Sequence, residues 1–410
     1  MDKHNPVVTR RQQRAAVSLL LAMTLLGVFP LDVLLPSFPA LAAHFGRSPN
    51  DIALSISLFA VGIAFAQLLI GPLSDVIGRK GLLLAGMSVS LLGALGCALS
   101  NDYTLFLIFR VMQALGCGCF VLSQALVQDL FEGNERDRLR ILMVTATGIF
   151  ISVSPLAGTF LQATLGWRGS FWVFIALAAA VLIKTWRLLD NSRPPHDPSR
   201  LGFLQSYQRV LSNFEFVGCW LISAFAFACH FSFIVISPLI FMEQLQMAPY
   251  DFALILLIYG AAYVFGGLFA SVLNRHINAQ QQIFTGLSLI LLSGLVMLYL
   301  AANHDLSAAT VLIPMLICTV GTTISRPPAT SRAMSLFAEN AGASASAGST
   351  IIFICGGLVS ALISLGPANL QATLGYGFVV LSGVSLLLNS VIGRRVSNLR
   401  SNPVMPGGDH

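Results

Sequence analysis

The stretch "IALSISLFAVGIAFAQLLIGPLSDVIGRKG", Ile52 to Gly81, decides how the chain is read. Its first 22 positions, 52 to 73, carry no charged residue. That is enough to cross a hydrocarbon layer as a helix, which needs about 20 apolar residues at ~1.5 Å each. A helix satisfies its own backbone hydrogen bonds, and in lipid nothing else does so for a single segment. The polarity then changes abruptly: Gly71, Asp75, Gly78, Arg79 and Lys80 make a short, glycine-bounded, charged turn. Asp75 and Arg79 can pair with charges on neighbouring helix ends and hold one side of a bundle shut. The plainer role of Arg79 and Lys80 is to anchor topology.

Outward from this segment the pattern repeats. The 410 residues are 56% hydrophobic and only 10% charged, too little polar surface for a soluble domain of this length. Twelve apolar runs are expected to span: 15 to 42, 52 to 73, 80 to 99, 104 to 128, 140 to 165, 169 to 189, 214 to 242, 250 to 273, 281 to 301, 307 to 327, 345 to 365 and 371 to 392. Barrel-type alternation is absent, so the fold class is an all-α membrane protein, a bundle of twelve transmembrane helices. Of 23 Lys and Arg residues, 19 fall on the side that holds the amino terminus, two on the other and two within spans. By the positive-inside rule both termini are expected in the cytoplasm. The first run is too long, and lacks the small-residue cleavage pattern, for a removable signal peptide, so it is expected to remain as the first span.

The net charge of +6 does not point to nucleic acid, because the basic residues flank spans and face the anionic leaflet. All seven cysteines fall in expected spans, and Cys117 and Cys119 point to different helix faces, so neither a disulfide framework nor a metal pair is read here. No nucleotide-binding loop or metal cluster is seen, which argues against an ATP-driven pump or a membrane enzyme. No cofactor is expected.

Between the sixth and seventh runs lies "DNSRPPHDPSRLGFLQSYQRVLSNFEF", the longest polar interruption, in which Pro194, Pro195 and Pro198 preclude a continuous helix. It divides the chain into an N-terminal six-helix half, 1 to 190, a linker, 191 to 213, and a C-terminal half with its tail, 214 to 410. Within the linker, 201 to 211 can form a short amphipathic helix on the cytoplasmic surface. A six-plus-six layout suits two transporter halves around a midplane site, and is also compatible with a channel or a receptor.

The loop after the second run resembles the signature of the major facilitator superfamily, and specifically the twelve-span drug:proton antiporters of the Bcr/CflA type. The matching positions are Gly71, Leu73, Ser74, Asp75, Gly78, Arg79 and Lys80, with Val76 where a basic residue is usual. In the fourth run "RVMQALGCG" resembles the antiporter pattern at Arg110, Gln113 and Gly116, with Ala114 in place of a glycine. The resemblance implies proton coupling at Arg110; the structural alternative is an arginine satisfied by backbone and by Gln113, one turn away. It also implies that Asp129, at the end of that run, joins the loop network through Arg79, with Arg136, Arg138 and Arg140 as competing partners. In the fifth run "FISVSPLAGTF" keeps Pro155 and Gly158 of the exporters' glycine-rich motif but has Phe150 and Ser154 where glycines are common. A kink and close packing are expected there. The likeness covers nearly the whole chain, through "WRGSFWVFIAL" and "FSFIVISPLIF".

Asp32, in "GVFPLDVLLPSFP", is the only acid expected deep in a span. An intramembrane acid is expensive and by default functional. Pro30, Pro36 and Pro39 should break the helix around it. The spacing from Asp32 to Pro36 resembles the acid-x-x-x-proline arrangement in the first span of the related antiporters. Asp32 can load a proton when outward-facing and release it inward; the alternative is a permanent pair with Arg110. His230 can serve as a second proton site or contact cargo, against the simpler role of a hydrogen-bonded packing residue. Arg326, before Pro327 and Pro328, can bind an anionic group on cargo or snorkel toward Arg332, and the two prolines are expected to disrupt the tenth helix. Phe38, Gln113, Phe120, Tyr259 and Tyr263 complete the candidate cavity lining, against the simpler role of packing.

The function expected is a proton-coupled antiporter exporting small amphipathic compounds across a bacterial-type inner membrane, acting as a monomer on small molecules and protons in a lipid bilayer. The alternatives are an exporter dedicated to one anionic metabolite, such as a carboxylate siderophore or an amino acid, and a non-transporting sensor.

Overall fold

The computed structural model describes residues 10–131, 133–189, 203–337, 341–366 and 369–401. Those residues form helices joined by short turns. They run α1 Arg10–Asp32, α2 Phe38–Phe45, α3 Pro49–Ile77, α4 Arg79–Leu99, α5 Tyr103–Cys117, α6 Leu122–Leu130, α7 Gly133–Leu165 and α8 Arg168–Leu188. After α9, Phe203–Leu211, come α10 Phe214–Pro238, α11 Pro249–Leu273, α12 Ala279–Asn303, α13 Ala308–Ser335, α14 Ala341–Ser364 and α15 Leu370–Ser401. With α1/α2 and α5/α6 each counted as one interrupted span, and α9 as a surface helix, twelve segments cross. Eleven of them are long and apolar enough throughout; in α7 the apolar part is Ile149–Leu165, because its first two turns carry the polar run "GNERDRLR".

Several starts are set by capping. Ser48 and Asp51 form a capping box with Pro49 at the first turn of α3, and Asn278 with Gln281 and Ser307 with Thr310 do the same for α12 and α13. Large apolar side chains such as Phe65, Phe160, Phe265 and Leu362 remain exposed on the outside of the bundle, the surface expected to meet acyl chains.

Departures from regular helix cluster at prolines and glycines. The first span is not one helix over 15 to 42: α1 stops at Asp32, a tight 3-10 turn covers Leu35–Ser37, and α2 resumes at Phe38. Pro36 has no N–H and its ring excludes the carbonyl four residues earlier, which is that of Asp32. The fourth span is similarly broken by a 3-10 turn at Gly118–Val121, and the seventh ends in a wide π-turn, Leu239–Gln244, after Pro238. The tenth span corrects the expectation of a disrupted helix. α13 runs unbroken through Pro314, Pro327 and Pro328. Neighbouring helices supply donors to carbonyls that these prolines leave free. Gln371 Nε2 donates to Thr310 O at 3.1 Å, four residues before Pro314, and Gln282 Nε2 to Ile324 O at 3.4 Å, four before Pro328.

In the first group α4 packs on α5 and α8, and α1 on α7 and α8; in the second α12 packs on α13 and α15, and α10 on α13, α14 and α15. The groups meet along α3 with α14 and α7 with α11. The α3/α14 seam is held by hydroxyls: Ser57 and Ser360 are 2.8 Å apart, Thr350 donates to Ala64 O at 3.3 Å, and Ser346 to Gln67 O at 2.6 Å. Tyr207 of α9 reaches the same seam, donating to Leu68 O at 3.0 Å beside Ser346. At the face opposite the chain termini the turn Leu35–Ser37 also touches α10 and α11.

Replacing Gln371 with leucine leaves the Thr310 carbonyl without its side-chain donor, at an expected cost of about 1–3 kcal/mol. Thermal unfolding in detergent should show a lower midpoint for this variant; an unchanged midpoint would mean that the carbonyl finds another donor.

Candidate functional site

Arg110 lies near the middle of α5 and is 1% exposed. Its Nη1 donates to Gln113 Oε1 at 2.7 Å, one turn along, and its Nη2 to Pro30 O at 2.5 Å. The guanidinium also lies over the Phe59 ring, 4.0 Å from its centroid. Because α1 ends at Asp32, Pro30 O belongs to the last turn of that helix and accepts from no backbone N–H; Arg110 caps it, a cation at the negative end of the dipole. Two charge-assisted hydrogen bonds contribute about 1.5–3 kcal/mol each and the ring contact up to ~2. An arginine at mid-span costs about 2.5–3.5 on insertion scales. Arg110 is therefore held without an acid. Beside it, Phe29, Leu34, Ser170 and Phe174 line a gap with space for about one water molecule.

Asp32 is the last residue of α1 and 8% exposed. Among the described residues no hydrogen bond or ion pair holds its carboxyl group, and Arg110 is not its partner. The Asp32 group instead lies within electrostatic reach of Tyr259, on α11 of the other helix group. The backbone just after Asp32 is pinned from α7: a Cβ on Gly158 would stand 2.2 Å from Val33 O and 3.2 Å from Pro36 Cδ. Only glycine lets α7 approach this closely. Pro155 sits within α7 one turn earlier.

The other helix group brings together residues of α10, α11 and α13. Tyr259 and His230 share a hydrogen bond through the phenol oxygen and Nδ1, their rings stacked at 5.3 Å. Tyr263, half-buried one turn on, holds its ring 5.7 Å from His230. Arg326 does not snorkel toward the end of α13: half-buried, its Nε donates to Ser223 Oγ at 3.4 Å and its guanidinium lies 5.0 Å over Phe227. Phe38 and Phe120 are buried in packing, Phe120 beside Gly27.

In the loop, Gly78 joins α3 to α4 at φ +97°, a conformation that favours glycine. Gly71 abuts Ser346 of α14, where a Cβ would come within 2.9 Å of Oγ. Arg79 donates to Ser74, and Lys80 is half-buried. The backbones of Asp75 and Asp129 lie in α3 and α6; their side chains, and hence the expected pairing of Asp129 with Arg79, lie outside the described residues.

Residues 19 to 364 match the sequence description of the Major Facilitator Superfamily. The chain belongs to this superfamily. It is 24% identical over 396 residues to the MFS-type transporter YdgK of Bacillus subtilis, spanning 95% of this chain and 96% of that one. It is 25% identical over 373 residues to the multidrug resistance protein MdtL of Shigella flexneri, spanning 90% and 93%. Among solved structures, a D-xylose-proton symporter superposes with TM-score 0.71 at 15% identity, over 93% of this chain and 97% of that one. A bacterial homologue of the lysosomal transporter Spinster, in an inward-facing conformation, gives 0.70 at 15% identity, over 97% and 100%. These structural matches establish the fold. As a superfamily member the chain is a multi-pass membrane transporter and not an enzyme.

The sequence named Asp32, Arg110 and Gln113 as candidates and offered backbone with Gln113 as the arginine's structural partners, but did not point to Pro30 O, Phe59, Ser223 or Phe227. Only the burial of Arg110 hinted that something distant must receive it. Gly158→Ala is expected to cost about 1–3 kcal/mol by driving α7 from the Asp32 segment. Gly267→Ala, where no atom lies within 4 Å of the added Cβ, should leave the melting midpoint unchanged or raise it. Equal midpoints for the two variants would show that α7 yields freely.

Proposed function

We propose that the chain is a proton-coupled antiporter that exports small amphipathic compounds by alternating access. The observation that carries the reading is Asp32. It is buried, without a hydrogen-bonding partner among the described residues, at the end of α1. A negative charge there is disfavoured by removal from water, so a proton is the natural counter-charge. Arg110 is occupied by Pro30 O and Gln113, which leaves the acid free to exchange protons.

The movement we envisage is rocking of the two six-helix halves, 1 to 190 and 214 to 410, about the α3/α14 and α7/α11 contacts. We read the Lys and Arg bias as favouring cytoplasmic termini, and the bacterial relatives support an inner-membrane location. On that reading the face where Leu35–Ser37 touches α10 and α11 is the outer one, and cargo enters from the cytoplasm or inner leaflet. MdtL, by name a multidrug resistance protein, supports varied cargo. The apolar and aromatic wall around Tyr259 and Tyr263 suits it.

The test is efflux from proteoliposomes across a panel of dyes and drugs, with and without an imposed pH gradient. Wild-type protein should extrude cargo only with the gradient, and Asp32→Asn should abolish that efflux while the protein remains folded in the membrane. Gradient-driven efflux at the normal rate in Asp32→Asn would remove Asp32 from the mechanism.

A further inference from the structure

The seam between α10 and α13 carries two arginines in two different settings. Near the termini-bearing end, Arg332 meets Glu215, with Nε and Nη2 both 2.7 Å from one carboxylate oxygen. Deeper in the bundle, about 9 Å along α13 and about 12 Å along α10 by helix rise, Arg326 faces Ser223. The first pair is neutral. In the second a hydroxyl stands where the first has an acid, its single bond is long, and among the described residues no carboxylate neutralises the guanidinium.

A half-buried guanidinium left uncompensated inside a bundle is costly. Its surroundings suit a particular counter-charge. The Phe227 ring lies under the guanidinium at 5.0 Å, stacks on Phe231 at 5.3 Å and meets Phe353 edge-on at 5.6 Å. His230 lies 6.3 Å from Phe227, its Nδ1 already engaged by Tyr259. Phe227, Phe353 and Arg326 are only partly buried, so a cation and aromatic surface stand side by side. A carboxylate on an aromatic body matches both; an amine of the same shape would be repelled.

We propose that Arg326, Ser223 and Phe227 form an anion subsite that receives the carboxylate of an aromatic organic acid. The inference rests on the transporter reading of the cavity, but not on proton coupling: binding at equilibrium needs no pH gradient. Failure of the Asp32→Asn efflux test would therefore leave it standing, and its own failure would leave the antiporter reading standing.

The experiment uses the full-length protein in phosphatidylcholine nanodiscs and equilibrium dialysis of labelled 2-naphthoate against its neutral isostere 2-naphthamide. Wild type should bind the naphthoate more tightly. Arg326→Gln should weaken naphthoate roughly tenfold or more, the size of one charge-assisted bond, and naphthamide less than about twofold. Ser223→Asp, which gives Arg326 the kind of partner Arg332 already has, should produce the same selective loss with the arginine in place. It carries the test if thermal unfolding shows that Arg326→Gln does not fold. Wild type binding both ligands equally, or neither, overturns the proposal. So does a loss that is equal for both ligands, or naphthoate binding that survives Ser223→Asp.

Discussion

A backbone carbonyl without a donor is a defect that hydrocarbon does not forgive, and the placement of such carbonyls organises this bundle. Prolines create them on α13, where Gln371 and Gln282 from other helices answer, and the end of α1 leaves one at Pro30 that Arg110 answers. Each answer ties together two helices that simple apolar packing would let slide. Polar residues inside the spans thus divide into those spent on the backbone and those left over. Asp32 and Arg326 are of the second kind.

That division separates two residues that sequence alone could have joined. Asp32 and Arg110 have opposite charges and both lie deep, and their mutual neutralisation was the simplest arrangement. The helix end decides otherwise, because the guanidinium reaches the carbonyl of Pro30 and Gln113 while no hydrogen bond or ion pair among the described residues holds the carboxyl group. Gly158 fixes the result by letting α7 rest directly on the backbone between them and the turn at Leu35–Ser37. A feature of the α1 backbone, the stop imposed by Pro36, therefore sets where Arg110 finds its acceptor.

Much of the fold was legible because its signals are local. The span count follows from apolar runs, the break after Asp32 from Pro36, and the surface helix α9 from the amphipathic stretch at 201 to 211. What stayed hidden depends on distant partners. Pro327 and Pro328 read as helix breakers, yet α13 passes through them because Gln282, more than 40 residues earlier, reaches the carbonyl behind Pro328. The 3-10 turn in the fourth span has only Gly116 and Gly118 as a trace, and glycine in a membrane helix more often marks close packing. Arg326 looked close enough to Arg332 to snorkel; Ser223 and Phe227, a hundred residues away, hold it inside.

The glutamine on Thr310 O has an implication for how such a protein can change over time. Pro314 and Gln371 form an asymmetric pair. If the proline is replaced first, the backbone regains its own donor and the glutamine becomes merely redundant. If the glutamine goes first, a bare carbonyl remains until the proline follows. Of the two mutational orders that end in the same double substitution, one passes through a sound intermediate and the other through a defective one.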